Sequence, residues 1–82
     1  MRILPLKPRL RVYIQTHGLE AAFKKQTTLF TQNPLYPSLN TELLEPKHLH
    51  IYSFRITRMY RVIFIYRANN TIEIIDINNH YQ

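Results

Sequence analysis

The stretch IYSFRITRMYRVIFIYRANNTIEIIDIN, residues 51–78, decides the fold. Its β-branched and aromatic residues fall into three runs, Ile51–Ile56, Tyr60–Arg67 and Thr71–Asn78, divided by short polar breaks. That pattern predicts three strands joined by short turns. Asn69-Asn70 suits a tight two-residue hairpin loop, because asparagine tolerates positive φ. Such a loop sets Ala68 opposite Thr71 and carries the register down to Arg61 opposite Asn78, with His80 just beyond on Arg61's side. If the preceding turn is centred on Arg58, Arg55 lies opposite or nearly opposite Arg61, and strand alternation points both side chains to one face.

Upstream of this block the periodicity changes. Between Leu19 and Phe30, the residues Leu19, Ala22, Phe23, Gln26, Leu29 and Phe30 share one face, with Glu20, Lys24, Lys25 and Thr28 opposite, which predicts an amphipathic helix. Asn33-Pro34 stops it. Arg9 to Thr16 can form a shorter helix bounded by Pro8 and His17-Gly18, and Met1 to Leu6 a first strand at an edge, where Pro5 is tolerated. Prolines 34, 37 and 46 with Ser38, Asn40 and Thr41 read as a rigid connecting loop between residues 33 and 47. The expected fold class is α+β, with N-terminal helices packed on a small, mainly antiparallel twisted sheet, and residues 1–82 as a single domain.

Composition narrows the setting. The 82 residues hold no cysteine, which removes disulfides and thiolate metal sites and fits a reducing cytoplasm. No apolar run approaches the roughly 20 residues that span a bilayer, and the N-terminus lacks the apolar core of a signal peptide. Eleven Lys and Arg against five Asp and Glu give a formal charge of +6. A surplus of that size favours polyanionic partners such as RNA or an acidic protein.

The paired arginines carry the chemical reading. Like charges facing each other across a ladder destabilise a sheet, so a fold that keeps them has either a carboxylate partner or an anion to bind, and phosphate is the natural anion. Cleavage of RNA by its own 2′-hydroxyl needs a base for that proton, an acid for the leaving 5′-oxygen and donors for the charge that builds on phosphorus. Arg55, Arg61 and the nearby Arg58 could supply donors, while His80, Tyr81 and an acidic residue could share the proton transfers. Taken singly, each has an ordinary alternative: the arginines as solvated strand charges, His80-Tyr81 as a frayed tail. Glu42 and Glu45 flank a leucine pair, and spacing alone does not choose a base between them. Lys24, Lys25 and Lys47 could meet RNA phosphates or simply solvate the surface. His48 and His50 lack a third ligand, so no metal site is expected.

The run Phe30-Thr31-Gln32-Asn33-Pro34-Leu35-Tyr36-Pro37-Ser38-Leu39, then Tyr52-Ser53-Phe54-Arg55-Ile56, Tyr60-Arg61-Val62-Ile63-Phe64 and the closing His80-Tyr81, resembles the RelE/ParE toxin superfamily. The resemblance covers roughly residues 19 to 81 and is strongest towards messenger-RNA interferases of the RelE, YoeB and YafQ type. It implies a metal-independent endoribonuclease without cofactors, cutting messenger RNA in the A site of the small ribosomal subunit and inhibiting translation. By that resemblance Glu42 is the general base, Arg55 and Arg61 hold the scissile phosphate, and His80 and Tyr81 take acid or orienting roles. Beside these, the basic residues Lys24, Lys25, Lys47 and Arg58 are the candidate RNA-binding residues. A cognate antitoxin is implied as partner, with a homodimer or a hetero-oligomer with that antitoxin as the assembly. Two other outcomes belong to the same reading: a ParE-like inhibitor of DNA gyrase, and a non-catalytic RNA-binding module gripping bases with Tyr36, Tyr52, Tyr60, Tyr66 and Tyr81.

Overall fold

The computed structural model describes residues 1–79. In chain order the elements are β1 (Arg2–Ile3), α1 (Pro8–Thr16), α2 (Glu20–Gln32), β2 (Glu42–Leu43), β3 (Tyr52–Arg55), β4 (Tyr60–Arg67) and β5 (Thr71–Asn79), with 3-10 turns at Pro37–Leu39 and Lys47–Leu49. The strands form one sheet in the order β1-β5-β4-β3-β2. Only the β1–β5 pairing is parallel; the others are antiparallel. The fold class is α+β, with both helices ahead of the antiparallel block. No helix among the described residues is long and apolar enough to cross a membrane.

Local chemistry explains the helical hairpin. Pro8 opens α1 at a position where its missing N–H would have had no helical acceptor. The chain's one glycine, Gly18, sits at φ +63° and closes the helix. Its N–H donates to the Gln15 carbonyl at 3.1 Å, and the Leu19 N–H donates to the Ile14 carbonyl at 2.9 Å. This is the glycine-centred helix stop in which two orphan carbonyls are satisfied and the flanking apolar residues, here the buried Ile14 and Leu19, meet. α2 begins at the next residue, so a single left-handed residue turns the chain from one helix to the other.

The core lies between the helices and one face of the sheet. Phe30 of α2 stacks on Phe54 at a centroid distance of 4.8 Å and meets Phe64 edge-on at 5.1 Å. Leu10, Ile14, Val62, Ile72, Ile74 and Ile77 complete the buried cluster around them.

Three sequence expectations are corrected. The hairpin loop is not two residues long: Arg67 faces Thr71, so Ala68, Asn69 and Asn70 all lie in the turn and Ala68 does not pair with Thr71. Asn69 and Asn70 do take positive φ, at 61° and 56°. The one-residue offset is then cancelled by a bulge on β5, where Ile63 faces Asp76 and Phe64 faces Ile74, leaving Ile75 without a partner. Beyond the bulge Arg61 faces Asn78, as expected. The first strand is shorter than residues 1–6: Arg2 and Leu4 donate to the Asn70 and Ile72 carbonyls at 3.0 and 2.9 Å, and Pro5 has no N–H to continue the ladder. The segment 33–47 is not all loop, because Glu42 and Leu43 form the edge strand β2 against Ser53 and Tyr52.

Candidate phosphate-binding face

Strand alternation divides β4 between two environments. Val62 and Phe64 belong to the core under the helices, so Arg61, Ile63 and Ile65 point to the opposite face. Residues paired directly across a ladder share a face. Arg55 pairs with Arg61, Asn78 pairs with Arg61 from the other side, and Ser53, two residues before Arg55, pairs with Glu42. Glu42, Ser53, Arg55, Arg61 and Asn78 therefore occupy the sheet face turned away from the helices, in two adjacent rows of the register.

Each of these side chains has a local cause for its position. Arg61 Nε donates to Asn78 Oδ1 at 3.2 Å, which fixes the guanidinium against β5. Arg55 Nε is buried and has no hydrogen-bond acceptor among the described residues. Glu42 is exposed, and its Oε1 accepts from Asn40 Nδ2 at 3.1 Å. Asn40 is the left-handed residue, φ 45°, that ends the 3-10 turn before β2, so the turn geometry delivers the amide to the carboxylate. Glu45 lies beyond β2 and outside this register.

The ion pairs of the described residues join Lys7 and Arg67 to Glu73 and Arg9 to Asp76. None involves Arg55, Arg58 or Arg61. Two guanidiniums thus face each other across β3 and β4 without a carboxylate among the described residues to neutralise them, an arrangement that favours an oxyanion with several acceptor oxygens.

Of the basic residues read as RNA contacts, Lys25 and Arg58 come together. They line one cleft of about 260 Å³ with Arg55, beside the β3–β4 turn. Lys24, on the exposed side of α2, and Lys47, in the second 3-10 turn, do not line it. His80 and Tyr81 lie outside the described residues; β5 ends at Asn79, opposite Tyr60. His50 is the left-handed residue that closes the second 3-10 turn, at φ 52°. Among the described residues no three His, Asp or Glu side chains gather as a metal-ligand set.

Sequence reasoning missed two contributors. Asn78 was placed opposite Arg61 by register, but its hydrogen bond was not foreseen. Gln26 was placed on the apolar face of the helix, where it is 6 % exposed and donates through Nε2 to the Ser38 and Arg55 carbonyls at 3.2 and 2.8 Å. A glutamine on an otherwise apolar stripe was the signal that could have found it, since a buried amide must have partners.

Two N-terminal helices thus pack on a five-stranded sheet with one parallel edge, whose other face carries the arginine pair. Among solved structures, a YoeB/ParE toxin from Agrobacterium tumefaciens shares that fold with a TM-score of 0.71, over 99% of this chain and 100% of its own. Identity between the two is 17%, so the likeness is one of fold. No protein-family model matches the sequence. No curated protein matches it either.

Proposed function

We propose that this chain is the toxin of a toxin–antitoxin pair and acts as a metal-independent endoribonuclease on messenger RNA at the ribosome. The observation that carries the reading is the Arg55–Arg61 pair, set side by side on the open face without a counter-carboxylate among the described residues and with Glu42 in the neighbouring row. The fold shared with a YoeB/ParE toxin supports it.

In the proposed reaction Glu42 accepts the proton of a ribose 2′-hydroxyl, and the freed oxygen attacks the adjacent phosphorus. Arg55 and Arg61 donate to the non-bridging oxygens, whose negative charge grows as the fifth bond forms. The bond to the 5′-oxygen breaks, His80 delivers a proton to that oxygen, and Tyr81 orients the histidine or the phosphate. The products are a 2′,3′-cyclic phosphate and a 5′-hydroxyl, and no water or metal is consumed. Asn78 holds Arg61 in place through the 3.2 Å contact. The ribosome supplies substrate alignment in the A site. An antitoxin with an acidic, partly apolar segment would neutralise the same face by covering it.

The test is induced expression in a bacterial host, scored for growth arrest and for new messenger-RNA ends by primer extension, with Arg61→Ala and His80→Ala beside the wild type. In-frame cuts that disappear in both variants are the expected result. Arrest with intact messages and inhibited DNA supercoiling would replace this reading with gyrase poisoning. With a carboxylate base and an imidazole acid, the cleavage rate should fall on both the acidic and the alkaline side of an optimum; a rate that stays flat through the histidine range removes His80 from proton transfer.

A further inference from the structure

The end of the β4–β5 ladder that carries Arg61 and Asn78 lies beyond the reach of β1. That strand pairs with Thr71 and Ile72 alone, so among the described residues no strand runs along the outer edge of β5 past the bulge. A slip of one residue there would turn Asn78 to the core face and take it off Arg61. An edge without a partner strand gives no resistance to such a slip, and the register needs support from outside the sheet.

The first helix supplies that support. Arg9, Tyr13 and His17 are spaced four residues apart and lie along one side of α1 and its C-terminal end. Arg9 donates through Nη2 to the carbonyl of Ile75, the unpaired residue of the bulge, at 3.0 Å, and its Nη1 lies 3.6 Å from Asp76 Oδ1. The same carboxylate oxygen accepts from the Ile77 N–H at 2.9 Å, so one guanidinium and one carboxylate occupy backbone groups on both sides of Asp76. Further along the helix the His17 ring stacks on Tyr13 with centroids 3.9 Å apart, and its Nδ1 donates to the Tyr13 carbonyl at 2.9 Å. Tyr60, at the start of β4, lies 5.4 Å from the His17 ring and meets Tyr13 edge-on at 6.1 Å. Burial first, then Tyr60 and Asp76 nearby, push the Tyr13 hydroxyl above the usual tyrosine range, which agrees with a ring set between those two residues.

These contacts bracket one rung. Along the ladder the Ile63–Asp76 pair comes two rungs before Arg61–Asn78, and Tyr60–Asn79 comes directly after it. We propose that Arg9, Tyr13 and His17 are positioning residues of the ribonuclease site. They make α1 a splint along the end of β5 that clamps the ladder on both sides of the Arg61–Asn78 rung and so aims the Arg61 guanidinium at its phosphate. The three act through Asn78 and Arg61 and not on the RNA. The proposal rests on the ribonuclease reading for what Arg61 holds.

The test uses the full chain, as wild type and as the Arg9→Ala/His17→Ala double variant, whose two substitutions fall on exposed side chains outside the core. Solvent exchange of the arginine Nε–H groups is followed by NMR on isotope-labelled protein. Arg61 and Arg67 each bond a side chain of β5 through Nε, Asn78 and Glu73 respectively, but only Arg61 lies past the bulge. In the double variant, exchange at Arg61 Nε should quicken by roughly tenfold, within the range that one hydrogen bond to a charged group contributes, while Arg67 Nε keeps its wild-type rate. New messenger-RNA ends in the induced-expression assay should fall with it. An unchanged Arg61 rate overturns the splint, as does equal quickening at both arginines or a selective quickening that leaves cleavage as it was. Cleavage by the wild type separates the two readings. Cuts in the wild type with an unchanged Arg61 rate in the variant remove the splint alone, whereas selective quickening with messages left intact by the wild type removes the ribonuclease reading and leaves α1 as an anchor of Arg61.

Discussion

At the scale of single residues, the Arg55–Arg61 pair sets the proposed function against stability. Their charges repel across the ladder, and Arg55 also buries a nitrogen without an acceptor among the described residues. Replacing Arg55 by leucine removes both penalties, and Arg55→Leu should stabilise the protein by about 0.5–1 kcal/mol in urea denaturation while, on the proposed reading, abolishing RNA cleavage. A variant that is less stable than wild type would show that the guanidinium is held by contacts that outweigh the repulsion. The pair was legible in the sequence because residues 55 and 61 are symmetric about Arg58 and strand alternation leaves no freedom in which face they share. Gln26 and Asn78 were not, because what matters in them is which carbonyl or guanidinium they reach, and periodicity carries no such information.

Among elements, the Gln26 clamp and the β5 bulge position the site. Gln26→Leu leaves the Ser38 and Arg55 carbonyls without their donor, and unfolding measurements should show a loss of about 1–3 kcal/mol. A loss near zero would mean that water replaces the amide. The bulge was written in the sequence although it was not read there. Ile72 and Ile74 are buried two residues apart, but the next buried apolar residue, Ile77, comes three later. That break of phase at Ile75 is what a strand with one extra residue must show. Deleting Ile75 should therefore take out the unpaired residue and leave both ends of the ladder in register, with Ile74 opposite Phe64 and Asn78 opposite Arg61, so the variant should keep the proposed activity in the expression assay; loss of it would show that the bend at the bulge is itself required. β1 and β2 are a different case: two residues each hold no period, and their pairing is decided by the strands beside them.

For the whole molecule, the acidic residues are few and their placement sets the response to acid. Glu73 on β5 accepts from Arg67 Nε of β4 at 2.9 Å and lies 3.9 Å from Lys7, just ahead of α1. The hydrogen bond from Arg67 holds its carboxyl below the usual glutamate range, with the Arg67 and Lys7 charges adding to the effect against a smaller opposing push from desolvation. A lowered folded-state value means that the contribution is complete above the ordinary glutamate range and is lost as pH falls through the lowered one. Urea midpoints followed from neutral into acid should thus drop more steeply for the wild type than for Glu73→Gln, and parallel curves would show that the cluster is solvated away.

The strand order has a further consequence, for the chain as it is made. β5 follows every other described element in sequence, yet it lies inside the sheet, between β1 and β4. Without residues 71–79 the first strand has nothing to pair with, the core lacks Ile72, Ile74 and Ile77, and Arg61 has no Asn78. Synthesis runs from the N-terminus, so the sheet can close only after that segment has been translated and has cleared the exit tunnel. On the proposed reading, a ribosome producing this protein is shielded from its product during elongation, and a message cut short before the codon for Thr71 yields a harmless fragment.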